Sequence, residues 1–492
     1  MNAVRSYVLE SESQVAQAAY TRHEPEKTLL YQTVQNHFLT FVAECEASNH
    51  PVPYFVKKEF EAFLKCGILA HGFARVYCQE CRFDRLVAFS CKRRAFCPSC
   101  MARRMSETAA HLVDSVIPYI PTRQWVLSLP TPLRYLMAYD SKACNFVLSA
   151  FTGAVSSFLA LKAKKQFSLS SAAKAHSGSV TFIQRFGSAM NLNVHFHTLS
   201  TDGVFVEDEA GKIQFQRLAA PTQAEIMQVT ERIANKVQRW LKKRLEDCSG
   251  DDLSEKEPLL SACYAASIRY TSAIGERAGK PLMRVLCEPV RGYESSREER
   301  SVAGFNLHAG TAIQAEDRVG LENLLRYMGR PPISAERLSQ AADGRLILKF
   351  KKAWTDGTAA IIMTPQEFLE RLTSLVPPPR KNQIRYHGIF ASNSKWREQI
   401  VPKPIQEVCD ETGSTDGKKC PGSGKRWAQL LLRVFGEDVL ACPRCESRMQ
   451  LISFITERKT IVDILESLQM ATAPPEVARA CRIARQDEFD FA

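Results

Sequence analysis

The sequence predicts a protein of the α+β class, and three observations carry that expectation. Long stretches repeat apolar residues at helical spacing, as in residues 141 to 166 and 222 to 246. Shorter ones, such as VTFIQRF and NVHFHTLS, are rich in aromatic and β-branched residues and are bounded by glycine, proline or Asp-Gly signals. Ahead of them lies a cysteine-rich block that has too few apolar residues to build a core of its own.

Taken in chain order, residues 27 to 66 read as two helices. Leu29, Leu30, Val34, Phe38, Phe41 and Val42 mark the first, and Phe60, Phe63 and Leu64 the second. After the cysteine block, MSETAAHLVDSVIPYI reads as a helix that starts near Ser106 or Thr108. RQWVLSLP has strand character and stops at its proline, and the helix over 141 to 166 ends in lysines. VTFIQRF (180 to 186) and NVHFHTLSTDGVFV (193 to 206) are strands, the second folded as a hairpin at Asp202-Gly203. DCSGDDLSEKEP reads as a polar linker, NLHAGTAI as a strand, and DRVGLENLLRYMG as a short amphipathic helix closed by Gly329 and Pro331. RLILKFKKA and TAAIIMT form a hairpin turning at Asp356-Gly357, and LVPPPRKNQIRYHG is a rigid connector. A polar stretch (409 to 425), the helix RWAQLLLRVF, a cysteine pair and a loose tail follow.

Composition narrows the function. Lysine and arginine exceed the acids by twelve and the pI is about 9.0, the balance a polyanion-binding surface needs. The cations gather at Arg93, Arg94, Arg103 and Arg104, at Lys162, Lys164 and Lys165, and at Arg239, Lys242, Lys243 and Arg244. The last group also fits the solvated face of a helix. No run approaches the ~20 apolar residues that span a bilayer. The start, MNAVRSYVLESESQ, lacks the apolar stretch of a secretory signal. A cytoplasmic protein without a membrane partner is therefore expected.

Sixteen cysteines in such a chain point to metal rather than disulfides. Cys45, Cys144, Cys248, Cys263 and Cys287 are scattered singly and read as small buried residues. Cys78-x2-Cys81 and Cys97-x2-Cys100 are two knuckles spaced to complete a tetrahedral thiolate shell around structural Zn²⁺. Cys91 and His71 are close enough to substitute for one ligand. Cys442-Pro-Arg-Cys445 is a third knuckle, which Cys409, Cys420 or His387 could complete.

Two further signals concern chemistry. In His195-Phe196-His197 the period of a strand puts both imidazoles on one side, spaced to share one metal ion, with Phe196 pointing into the core. Gln184 interrupts an apolar face of the preceding strand, between Phe182 and Phe186, and needs a polar partner there. Tyr327 lies off the stripe of Leu321, Leu324, Leu325 and Met328, on the polar side of its helix beside Asn323 and Arg330. Each signal has a plainer reading: a packed pair of histidines, and a boundary tyrosine with a wet hydroxyl.

Jointly, these stretches resemble the rolling-circle transposases of the insertion sequence ninety-one family. The resemblance is carried by YCQECRFDRLVAFSCKRRAFCPSCMARRM, RQWVLSLPTPLRYLMAYD, VTFIQRFGSAMNLNVHFHTLSTDGVF and GLENLLRYMGRPPISAERL, in that order. WTDGT, LVPPPRKNQIRYHGIF and VLACPRC extend it over most of the chain. It implies an HUH endonuclease domain, a central antiparallel sheet flanked by helices, behind an N-terminal zinc-binding domain. His195 and His197 would hold Mg²⁺ or Mn²⁺, with Gln184 or His308 as third ligand and Glu322 a more distant choice. Tyr327 would attack the scissile phosphate of single-stranded DNA at the ends of the element. Arg93, Arg94, Arg103, Arg104 and Arg330 would contact the DNA. Some members carry two tyrosines, four residues apart; here the upstream position is Asn323.

The division expected is a helical segment (1–65), the zinc-binding domain (66–105), the catalytic domain (106–345), a C-terminal domain with the extra knuckle (346–455) and a tail (456–492). Three other readings compete. A replication initiator or relaxase would use the same chemistry, and a zinc ribbon that only binds DNA would use none. A metallohydrolase would need an Asp-His at short spacing after the His-x-His, which is missing.

Overall fold

The computed structural model describes residues 22–247, 252–287, 301–402 and 438–481. The expected helix RWAQLLLRVF, the polar stretch before it, and Cys248, Cys409 and Cys420 lie outside the described residues. Strands and helices are mixed and every strand pairing is antiparallel, so the α+β class holds. Chain contacts define two interleaved units. The described residues of one fall within 1–32, 61–92 and 406–476, and those of the other within 33–60, 93–405 and 477–492.

The smaller unit is built on a three-stranded sheet with Phe73–Tyr77 in the middle, Asp84–Ala88 on one side and Gln450–Ile455 on the other. Leu69, Phe73 and Leu86 form its core with Ile461 and Leu465 of the helix Arg458–Ser467. That helix corrects the expectation of a loose tail: its apolar face covers one side of the three-stranded sheet and closes the core.

The larger unit contains a six-stranded sheet. Its order is Ile384–Gly388, Gly178–Phe186, Leu192–Thr201, Thr122–Ser128, Phe305–Ile313, Ser301–Val302. The histidine strand, Leu192–Thr201, is therefore central, and all but one of its residues are buried. On one face lie the helices Pro98–Ser115 and Arg318–Met328, whose Leu112, Val113, Leu321, Leu325 and Met328 join Val180, Phe182 and Leu199 of the sheet in one core. On the other lies the helix Ser141–Gln166: Phe151 stacks on Phe196 at 6.1 Å and Phe158 meets Trp125 edge-on at 6.0 Å. This helix is long and apolar enough to cross a membrane on length and composition, contrary to the expectation that no run approaches that limit. Its apolar residues cover the sheet.

A four-stranded sheet, ordered Leu338–Gln340, Leu346–Lys349, Thr358–Met363, Met283–Leu286, contains the expected hairpin at Gly357, whose φ is +83°. The helix Pro365–Leu375 follows it, opened by a capping box of Thr364 and Glu367.

Four local expectations are corrected. Asp202-Gly203 is not a hairpin turn: Gly203–Glu207 pairs with Ile213–Arg217 instead of folding back on the histidine strand. Asp202 is held by a buried, bidentate bond from Arg123 at 2.7 and 2.9 Å. A side chain at Gly203 would strike Gln216 O and Phe215. The connector LVPPPRKNQIRYHG ends as the edge strand Ile384–Gly388, whose backbone pairs with Gly178–Phe182. The helix expected to start near Ser106 begins at Pro98, where proline suits the first turn. Within the expected polar linker, Asp252–Lys256 is a short helix.

Candidate active site and zinc sites

Strand alternation sets the front of the site. His195 and His197 project from one face of the histidine strand, with their Nε2 atoms 3.0 Å apart. His195 donates Nδ1–H to the carbonyl of Asn193 at 2.7 Å, leaving a lone pair on Nε2. Nδ1 of His197 lies 3.0 Å from the side-chain amide of Gln124, two strands from Gln184. Burial first, then the charges of Arg330 and Arg134, hold His195 down to about 4. Burial, His195 and Arg330 hold His197 down to about 3. Both rings are therefore neutral near pH 7, the form that binds a metal ion.

Gln184 stands directly opposite His195 in the strand pair, so their side chains share a face. Its Nε2 donates to Met328 O at 2.6 Å, while its buried Oε1 has no hydrogen-bond partner. A buried carbonyl oxygen left unpaired beside two imidazoles is the position a cation would fill. The donor set also fits by distance: neighbouring ligands of an octahedral ion bound at ~2.1 Å are about 3 Å apart, as are the two Nε2 atoms. His308 shares a cross-sheet row with Val126 and His197 but is two strands from His197 and exposed. Glu322 is paired with Arg326 at 2.9 Å.

The helix Arg318–Met328 brings the tyrosine to this face. Asp317 caps it by accepting from Gly320 N. Arg318 anchors it by donating to the carbonyls of Val113, Ile117 and Pro118, where the neighbouring helix ends and a cation is favoured. Tyr327 is 48% exposed, yet its ring meets His197 edge-on with 6.0 Å between centroids. The guanidinium of Arg330 lies over the tyrosine ring at 4.6 Å. Histidines, tyrosine and arginine thus converge from segments more than a hundred residues apart.

A cleft beside them is lined by Arg94, Arg104, Gln184, Phe186 and Arg330. The other two arginines singled out in the sequence are engaged elsewhere: Arg93 faces Glu59 at 4.0 Å, and Arg103 pairs with Glu107 at 2.7 Å. Gln124, now seen against His197, carries no signal in the sequence.

The cysteines regroup. Cys78 and Cys81 are gathered not with Cys97 and Cys100 but with Cys442 and Cys445. Cys78 and Cys445 sulfurs are 3.5 Å apart, and those of Cys81 and Cys442 3.3 Å, close to the ~3.8 Å edge of a zinc tetrathiolate with ~2.3 Å bonds. Strand pairing is the cause: Tyr77 is opposite Gln450, which places the knuckle after one strand beside the knuckle before the other. The Cys81 amide and the Ser447 hydroxyl hold the Cys78 thiol below its usual range. Cys97 and Cys100 belong to the larger unit and not to this group. His71 and His387 do not belong to it either. Cys45, Cys144 and Cys263 are buried as expected, whereas Cys287 is exposed.

Residues 178–397 match the family model Y2_Tnp, described as a transposase, and include Gln184, His195, His197, Tyr327 and Arg330. Residues 33–129 match the transposase zinc-binding domain of insertion sequence ninety-one. The chain belongs to the insertion sequence ninety-one family of transposases. No curated protein and no solved structure matches it. As a transposase it acts on DNA, and its zinc-binding domain with the group of Cys78, Cys81, Cys442 and Cys445 supports structural Zn²⁺. Cys442 and Cys445 lie beyond both matched regions, so the family match alone would not have paired them with Cys78 and Cys81.

Proposed function

We propose that this transposase nicks and rejoins single-stranded DNA at the ends of its element, with Tyr327 as nucleophile, in rolling-circle transposition. The observation that carries the reading is the edge-on approach of Tyr327 to His197 at 6.0 Å. A boundary tyrosine has no reason to meet a buried pair of neutral histidines, and a zinc ribbon that only binds DNA needs neither.

His195, His197 and Gln184 would hold Mg²⁺ or Mn²⁺, which polarises a phosphoryl oxygen. The orphaned Oε1 favours Gln184 over the exposed His308 as the third ligand. Arg330 binds the scissile phosphate and orients the phenol beneath its guanidinium. Tyr327 Oη attacks phosphorus as its proton passes to solvent; the P–O3′ bond breaks, and the departing 3′ oxygen takes up a proton. The products are a 5′-phosphotyrosine and a free 3′-OH. Attack by a 3′-OH reverses the step and releases Tyr327, so no nucleotide cofactor is consumed. The substrate is single-stranded because in-line attack by one tyrosine needs an accessible backbone, and Arg94 and Arg104 border the cleft that would take it. Asn323 occupies the position of the upstream tyrosine of some relatives, and in this reading Tyr327 alone serves both transfers. A reaction on DNA of this kind fits a protein of the cytoplasm that associates with the nucleoid.

The test is a denaturing gel with labelled single-stranded oligonucleotides from the element's ends, in Mn²⁺ and in EDTA. A slow band that survives denaturant, needs metal and vanishes in Tyr327→Phe and His197→Ala supports the reading. If no such band forms with any end sequence while DNA is still bound, the tyrosine chemistry is wrong.

A further inference from the structure

Gln184 and Arg185 are neighbours on one strand and project to opposite faces of the sheet. Gln184 faces the histidines. Arg185 lines a second cleft, together with Arg380, Lys381 and Arg385 from the segment that follows the prolines. Arg185 is only 7% exposed, and its Nε is buried without a hydrogen-bond partner. The remaining nitrogens donate to Ala138 O at 2.8 Å and Tyr264 Oη at 3.3 Å, neither of which carries a charge. Arg385 is half-buried, and its Nε likewise has no partner. Lys381 reaches only the carbonyl of Tyr139, at 2.7 Å. Burial and the Arg185 charge hold its ammonium below the usual range.

Four cations thus share one cleft, and none forms an ion pair with a carboxylate among the described residues. Asp140, whose charge bears on Lys381, is already engaged by Arg244 and caps the helix Ser141–Gln166. A buried guanidinium without a counter-ion is unfavourable, and an incoming anion offsets that cost. The cleft shares Ile183, Arg185 and Gln383 with the one beside Tyr327, so the two meet at the edge of the sheet.

We infer that Arg185, Arg380, Lys381 and Arg385 bind a backbone phosphodiester of the DNA strand after it leaves the tyrosine's cleft and rounds the sheet edge. The inference rests on the single-strand reading above and extends it to a second anchoring point. The arginine fork suits a phosphate with two free oxygens. The site would hold the strand without reading its bases, because its cations touch only backbone.

The test is equilibrium binding of a labelled single-stranded oligonucleotide to the full chain in EDTA, so that cutting plays no part. Arg380→Ala with Arg385→Ala is compared with Arg380→Lys with Arg385→Lys, after both are shown to melt like the unsubstituted protein. The alanine pair should bind about tenfold more weakly. Its salt slope should fall by roughly 0.7 for each phosphate that the protein ceases to neutralise. The lysine pair should keep most of the slope. Neutral methylphosphonate linkages, placed one at a time, should weaken the unsubstituted protein at one position and leave the alanine pair indifferent there. If the alanine pair keeps affinity and slope, the second anchor is overturned while the single-strand reading stands. If the unsubstituted protein binds no single strand, that reading falls and the anchor with it. A flat methylphosphonate scan, with inorganic phosphate competing only in the unsubstituted protein, would mean a site for free phosphate and would also overturn the inference.

Discussion

Gln124 reaches Nδ1 of His197 at 3.0 Å and so controls which ring nitrogen carries the proton. In the structure its NH₂ faces Nδ1 and leaves the proton on Nε2, which points at Nε2 of His195; a turn of the amide that presents the carbonyl instead takes Nδ1–H and frees the Nε2 lone pair for a metal ion. Gln124→Leu should therefore weaken Mn²⁺ binding about 10- to 100-fold, and Gln124→Glu, which can only accept, should retain or strengthen it. Calorimetric titration of Mn²⁺ checks this; equal affinity in Gln124→Leu would remove Gln124 from the site.

Gln184, on the strand beside the histidines, donates to the carbonyl of Met328, the residue after the tyrosine. Gln184→Ala should reduce adduct yield at least 100-fold and lower Mn²⁺ affinity together. Gln184→Glu keeps an oxygen ligand but loses the donor to Met328. Restored Mn²⁺ affinity with poor adduct yield is expected for it, and unchanged Mn²⁺ affinity in Gln184→Ala would reject Gln184 as a ligand.

Zinc content separates the two ways of pairing the knuckles. Cys442→Ser with Cys445→Ser should remove one equivalent of zinc per chain, measured by chelator release after denaturation. A shell made of Cys78, Cys81, Cys97 and Cys100 would keep its zinc in that variant.

Arg123 and Asp202 are 9% and 5% exposed, and Arg123 also donates to Ala309 O at 2.9 Å. Asp202→Ala leaves a buried guanidinium unpaired and should cost about 3–5 kcal/mol, read from urea unfolding. Arg123→Met combined with Asp202→Leu should recover most of that loss.

Glu370 supplies the pH dependence. Burial pushes its carboxyl up to about 7, against the pull of the Ala273 and Ile274 amides, which donate at 2.7 and 3.1 Å. A carboxyl with a raised folded pKa takes up protons on folding. Its contribution is therefore fully present below the unfolded value of 4.5 and is lost as pH rises through about 7. Unfolding free energy should fall across that window by at most roughly 3 kcal/mol, and Glu370→Gln should flatten the fall in a urea series.

The local pattern of the chain determined a good deal. A period of two put His195 and His197 on one face, and helical spacing put Tyr327 on the polar side beside Arg330, because both follow from backbone geometry alone. The strands and long helices were legible for the same reason. What only the tertiary structure decided is which distant segments meet. Cys78 and Cys81 take Cys442 and Cys445 because a strand near the end of the chain pairs with Phe73–Tyr77. No spacing rule reaches across more than three hundred residues. Asp202 forgoes its turn for Arg123 on a neighbouring strand, since burying that charge demands a partner. Gln124 and Gln184 gain their meaning from what lies across the sheet from them. Sequence carries the local periodicities. Long-range pairing, which sets the burial and the partner of each polar group, is settled only when the sheets close.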